Sequence, residues 1–208
     1  MLNRLKITAY FRTPVLINHP PYLDGILLSV MLKKDNPDLY WNGKELNKNR
    51  NTEIPFIAKI DNVNACSFAK YKVEGIQICK WRKRFEIDKA EKYMNITKNV
   101  YLTMGKYKNY NMPIKIQNIP KMEWIIIGDK KKIEKYLFSI IGIGKKQSQG
   151  WGIIREWEIE ETTQKGERHF PLINKTMKNG IYGGVSYCSY RPSYYYKDNF
   201  SLCVIRKF

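Results

Sequence analysis

The pattern that most restricts the fold of this chain occurs twice. In its first appearance Leu5, Ile7, Ala9 and Phe11 alternate as on one face of a strand. A proline-rich connection follows, ending in His19, Pro20 and Pro21. Then Leu23, Ile26, Leu27, Val30 and Met31 recur at the spacing of one amphipathic helical stripe. Asp24 in the first turn, and Lys33 and Lys34 in the last, suit the helix dipole. In the second appearance Met122–Ile127 reads as a buried strand. Asp129 stands as an N-cap, and Ile133, Tyr136, Leu137, Ile140 and Ile141 repeat the stripe. The two stretches share no convincing sequence identity.

Between them, Ile54–Ile60, Cys66–Tyr71, Ile76–Phe85, Val100–Met104 and Pro113–Ile119 read as strands, and Ile87–Asn95 as a short helix or a loop. Asn36 to Asn51, rich in Asn, Lys, Gly and Pro, reads as an exposed loop, and Trp151–Ile159 as a strand. Strand–helix units followed by further strands predict an α+β fold of ferredoxin-like type, in one copy or duplicated. The 208 residues suit a single domain, 1–208, with 1–120 and 121–208 as its candidate sub-units. The tyrosine-rich C-terminal stretch ends in an apolar piece, Leu202–Ile205, and is expected to dock on the body.

Charge supplies the next constraint. Lysine and arginine number 37 against 19 acids, a net +18. Such an excess repels itself in a compact chain, so a polyanionic partner is its natural explanation. Fifteen tyrosines among the cations suit base stacking and favour nucleic acid. No stretch approaches the roughly 20 apolar residues needed to span a bilayer, and the first strand pattern is not a signal peptide. A cytoplasmic protein without membrane association is expected. Cys66, Cys79, Cys188 and Cys203 form no CxxC pair and have no histidine at ligand spacing. They predict reduced thiols and no metal, and no cofactor is implied.

After the second helix comes IGIGKKQSQGWG, residues Ile141 to Gly152. It lacks the GxxxxGK spacing of a phosphate loop. Gln147 stands where a dinucleotide fingerprint needs its third glycine. Both of those motifs also precede a helix, whereas this loop follows one. Gly142, Gly144 and Gly150 permit positive φ and close approach of another chain, and successive amides in such turns make an anion nest. Lys145 and Lys146 add charge, Gln147, Ser148 and Gln149 add hydrogen-bonding groups, and Trp151 adds a stacking face. Two readings stay open: a grip on a single-stranded sugar-phosphate backbone, or a glycine turn whose Trp151 belongs to the core.

Other clusters suit the same partner. On a strand, Lys80, Arg82 and Arg84 share one face beside Trp81. Lys130, Lys131 and Lys132 open the second helix, where the dipole disfavours cations unless an anion lies near. Arg191 stands among Tyr187, Tyr190, Tyr194, Tyr195 and Tyr196, some of which are expected in the core.

A helix followed by Gly142, Gly144, the basic and polar run Lys145–Gln149, and Gly150-Trp151-Gly152 resembles the glycine-rich loop of the RAMP superfamily of CRISPR-associated proteins. PPYLDGILLSVML, Pro20 to Leu32, and YRPSYY followed by CVI resemble the RAMP subunit of type IV systems that caps the 5′ end of the guide RNA. The middle of the chain, about 36–120, carries no such match. The resemblance implies an RRM-like RAMP fold and binding of the repeat-derived 5′ handle. It also implies assembly with backbone and large subunits into an antiviral ribonucleoprotein that reaches target DNA through the complex.

The same superfamily holds metal-independent endoribonucleases that process precursor guide RNA with a histidine acid/base. In this chain His19, assisted by Tyr22 or a lysine, is the candidate for activating a ribose 2′-OH. His19-Pro20-Pro21 serves equally well as a structural connector, and His169 has no local support. The residues favour binding over cleavage. A mobile-element RNA-binding protein or inhibitor that mimics such a subunit stays open as a third reading.

Overall fold

The computed structural model describes residues 2–37, 53–93, 101–104, 107–172, 184–192 and 194–208. Most of the expected loop at Asn36–Asn51 lies outside them, as do Val100, Gly183 and Ser193. In chain order the elements are β1 (Asn3–Phe11), α1 (Leu23–Asp35), β2 (Lys59–Ile60), β3 (Val63–Asn64), β4 (Lys70–Tyr71), β5 (Gly75–Lys83) and α2 (Ile87–Tyr93). They continue with β6 (Tyr110–Asn118), β7 (Lys121–Gly128), α3 (Lys130–Leu137), β8 (Ile154–Glu161), β9 (Glu167–Pro171), β10 (Ser186–Ser189) and β11 (Phe200–Lys207).

The central sheet has the order β4-β7-β1-β8, and all its pairings are antiparallel. Helix α1 lies between β1 and β4 in the chain, and α3 lies between β7 and β8. The two β-loop-α patterns therefore feed one sheet, which draws strands from both sides of residue 120. Strand alternation turns Leu5, Ile7 and Ala9 of β1, and Met122, Trp124 and Ile126 of β7, onto the helix-covered face. There they meet Leu23, Leu27, Leu28 and Leu32 of α1 and Ile133, Tyr136 and Leu137 of α3. The buried stripe of α1 is thus rotated from the expected one, with Ile26, Val30 and Met31 only half-buried.

Helix α3 is capped as expected, Asp129 Oδ1 accepting the Lys132 N–H at 3.2 Å. It ends at Leu137, before the stripe read from the sequence does, and Ile141 is left 72% exposed. Residues 101–104 are bent rather than extended, and the strands expected over Ile54–Ile60 and Cys66–Tyr71 are reduced to two-residue pieces. β5 and β6 pair along their whole length as a hairpin that leaves Ile76, Ile78 and Met112 exposed.

The C-terminal stretch does dock. β10, β11 and β9 form a second antiparallel sheet, and the Phe68 N–H donates to Glu167 O at 3.2 Å, tying it to the body. Among the described residues no helix is long and apolar enough to cross a membrane.

Candidate nucleic-acid interface

The glycine loop is built by crossing another segment of backbone. Lys145 N–H donates to Leu16 O at 2.8 Å, Gly152 N–H to Pro14 O at 2.8 Å, and Ile143 N–H to Gly152 O at 2.9 Å. The first two bonds press the loop against residues 13–17 and the third closes its two arms on each other, so closely that side chains are excluded. A Cβ on Gly144 (φ +104°) would lie 2.7 Å from Leu16 O, and one on Gly152 (φ +68°) 1.9 Å from Ile143 O. Gly150 differs: its φ is +85°, but a Cβ there would meet nothing within 4 Å. The glycines at 144 and 152 therefore serve the loop's own packing, and the one at 150 forms an open tip.

Several amides expected to form an anion nest are already donated to carbonyls. Besides those above, Gln149 N–H donates to Lys146 O and Gly150 N–H to Gln147 O, both at 2.9 Å, around a single 3-10 turn. The tip thus offers side chains more than bare backbone. Lys145, Gln147, Ser148 and Gln149 are exposed, while Lys146 and Trp151 are half-buried.

Strand alternation places Trp81 on one face of β5 and Lys80 and Arg82, both exposed, on the other. Arg84 lies past the end of β5 and does not continue that face. Trp81 Nε1 donates to Tyr110 Oη at 2.7 Å, which fixes the indole on the hairpin. Above the ring stands Lys146, in the left-handed region at φ +59°, with Nζ 3.2 Å from the ring centroid. This contact, between residues more than 60 positions apart in the chain, makes the loop and the hairpin one surface.

The open face of the central sheet has a different character. Its register sets Lys6, Thr8 and Tyr10 beside Glu123, Glu156, Glu158 and Glu160. Lys6 pairs with Glu123 at 3.1 Å, and Tyr10 donates to Glu158 at 2.8 Å. Lys121 also pairs with Glu123, at 2.9 Å, and Lys70 lies opposite Glu123 on β4, so cations and carboxylates are interleaved and matched on this face rather than left free for phosphates.

Of the remaining candidates, Tyr22 falls at a buried hub that the sequence did not announce. Arg168, on β9, is wholly buried against Asp24, with Nη2 2.9 Å from Oδ2. It also donates to Cys66 O at 2.6 Å and Tyr190 O at 2.9 Å. Tyr194 donates to Asp24 Oδ1 at 2.6 Å, and Asn64 to Oδ2 at 3.0 Å. Burial pushes the Tyr194 phenol well above its usual range, Arg168 opposing and Asp24 reinforcing. Asp24 is therefore an internal counter-charge, not the surface dipole partner its position suggested.

Tyr22 stacks on Tyr194 at 4.7 Å, and its Oη lies 2.5 Å from Nδ1 of His169. Burial raises the Tyr22 phenol, with Arg168 opposing. Burial and the Arg168 charge hold His169 below its usual value. So Tyr22 is engaged by His169, the histidine without local sequence support, while His19 sits exposed on the connector. Arg191 is half-buried and donates to Asn199 at 2.6 Å. Lys130, Lys131 and Lys132 are exposed at the start of α3. Among the described residues no group of His, Cys, Asp and Glu could hold a metal ion.

The signal for the hub was present but silent. A buried Arg and its carboxylate look like any other charges in sequence, because the pair is 144 residues apart.

Comparison with curated proteins finds no match. Among solved structures, a chain of the cryo-EM structure of the Type III-B Cmr-beta bound to cognate target RNA is similar over 77% of this chain, at 12% identity and a TM-score of 0.43. The present chain spans 61% of that chain's length. The family model described as CRISPR type IV associated protein Csf3 matches residues 22–206, so it takes in both the Asp24–Arg168 hub and the loop–hairpin surface. The chain belongs to the Csf3 family of CRISPR type IV associated proteins.

Proposed function

We propose that this protein is a non-catalytic RNA-binding subunit of a CRISPR effector ribonucleoprotein, of RAMP type, and that it holds the 5′ handle of the guide RNA. Backbone and large subunits are its protein partners in this reading, and target DNA is reached through the complex. One observation carries it: Lys146 on Trp81 joins the glycine loop to the hairpin. This sets a tryptophan face, exposed amide and hydroxyl side chains and Lys145 on a chain of net charge +18. That is the composition of a single-strand groove, with cations for the phosphates and a ring for the bases. Membership of the Csf3 family supports the CRISPR context.

Cleavage is the weaker reading. A general base needs an activated group within hydrogen-bond reach of the 2′-OH. Tyr22, proposed to assist His19, is committed to His169 inside the hub.

Incubation of the protein with labelled repeat RNA in EDTA tests the proposal. Tight binding that leaves the RNA intact is expected. Lys145→Ala should lower the slope of log affinity against log salt by about 0.7, the share of one phosphate on a single strand. Specific cleavage that disappears in His19→Ala would overturn the proposal in favour of a nuclease. No binding even at low salt would overturn RNA recognition altogether.

A further inference from the structure

We infer that Trp81 is a base-stacking site and that Lys146 is its removable cover. The inference rests on the RNA-binding reading above and extends it to a particular ring. Three observations carry it. First, Lys146 Nζ lies 3.2 Å from the centroid of the Trp81 ring, so the face that meets the loop is occupied by an ammonium rather than by core side chains. Among the described residues no carboxylate pairs with that ammonium, so a second aromatic surface can replace it without stranding an acid. Second, the indole Nε1 is donated to Tyr110 Oη at 2.7 Å. The ring is thereby held in orientation and keeps no free hydrogen-bonding edge. Third, the register puts Met112 directly opposite Trp81, and Met112 is 53% exposed. The floor therefore continues past the indole as a polarizable apolar surface, suited to an aromatic ring.

A nucleobase stacked on an indole gains about the same as a half-buried ammonium over that ring, so the one can replace the other. Exchange of one for the other also frees a cation. Lys146 is held in a left-handed conformation that a side-chain-bearing residue adopts only at a cost. The loop has an open glycine tip at Gly150 through which to relax. Once displaced, the ammonium is beside the phosphate of the base that displaced it. Because the ring offers a face and no polar edge, the site accepts any base, and it adds affinity without reading sequence.

The test compares an RNA of about ten nucleotides, within the site size of such grooves, with a ribose-phosphate strand of the same length that lacks bases. Wild-type protein should prefer the base-bearing strand by about five- to a hundredfold, the usual effect of one stacked base. Trp81→Ala should abolish the preference without changing the salt slope, and Trp81→Phe should keep much of it, which separates stacking from a folding defect. Lys146→Ala should keep or raise the preference while the salt slope falls by about 0.7.

A wild-type protein that binds both strands equally, or a preference that survives Trp81→Ala, would overturn the stacking site and leave RNA binding standing. A preference lost in Lys146→Ala would overturn the cover, since Lys146 would then be part of the platform. Binding of neither strand at low salt would fail the RNA reading itself.

Discussion

Arg168 and Lys146 are both cations laid over aromatic rings, yet they do opposite things. Arg168 lies 4.5 Å from the Tyr22 ring, with no exposure, and is bonded to a carboxylate and to backbone carbonyls. Lys146 lies 3.2 Å from the Trp81 ring, half-buried, and among the described residues it meets no carboxylate. The ring contact is the same physics in both. What differs is the surroundings, and they decide whether the cation is a fixed strut or an exchangeable one. Removing a buried charge from its carboxylate leaves a charge that water cannot reach. Removing a half-exposed ammonium from a ring leaves both partners solvated.

The comparison is most directly broken at the hub. Asp24→Ala should destabilise the fold by about 3–5 kcal/mol, because Arg168 is left uncompensated in the interior. For a chain of this size that lowers the melting temperature by on the order of 10 °C. Replacing both partners, Asp24→Leu with Arg168→Met, should recover only part of the loss, since apolar substitutes need no counter-charge but leave Tyr194 and Asn64 without their acceptor. A single substitution that melts like wild type would show that the pair is not a strut.

Within the loop the contrast is between two glycines of positive φ. Gly152→Ala sets a Cβ against Ile143 O and should cost about 2–4 kcal/mol in thermal unfolding, from backbone strain and overpacking together. Gly150→Ala faces open space and should cost only the strain, about 1 kcal/mol. Equal losses at the two positions would mean that the close approach of Gly152 to Ile143 does not constrain the loop.

The smallest effect is a pH dependence at the hub's edge. His169 is held below its ordinary value of 6.5 by burial and by Arg168. The unfolded chain therefore binds a proton at this position that the folded chain resists. Its contribution to stability is full above pH 6.5 and is lost as pH falls through the depressed folded value. Melting temperature measured from pH 7.5 down to 5 should decline in wild type and decline less steeply in His169→Gln. An unchanged slope would assign the decline to other groups.

How much of this was legible in the sequence depends on the range of the interaction. The helices α1 and α3 and the alternation of β1 and β7 were visible, because helical and strand periods are local, although the face that α1 buries is rotated from the expected stripe. Helix α3 stopped short of its stripe, and the strands expected over Ile54–Ile60 and Cys66–Tyr71 shrank, because their ends are set by tertiary pairing. The stretches that carried the family resemblance, Leu23-Asp24-Gly25 and YRPSYY, meet at the hub. A Cβ on Gly25 would lie 2.9 Å from the Tyr194 ring. The tyrosine-rich stretch thus contains a core residue whose place only its partner reveals. In the candidate site, Lys80, Arg82 and the loop residues were legible as cations and glycines, whereas Trp81 appeared only as their neighbour.

Taken alone, the sequence determined the α+β class, the positions of the main helices, the charge and the family. All of these follow from local periodicity, composition or short motifs. Tertiary structure decided which charges are buried and which are presented. It paired Asp24 with Arg168, gave Tyr22 to His169 and laid Lys146 on Trp81. Each of these links joins residues far apart in the chain, and the dielectric around a charge is set by what folds over it, not by its neighbours in sequence.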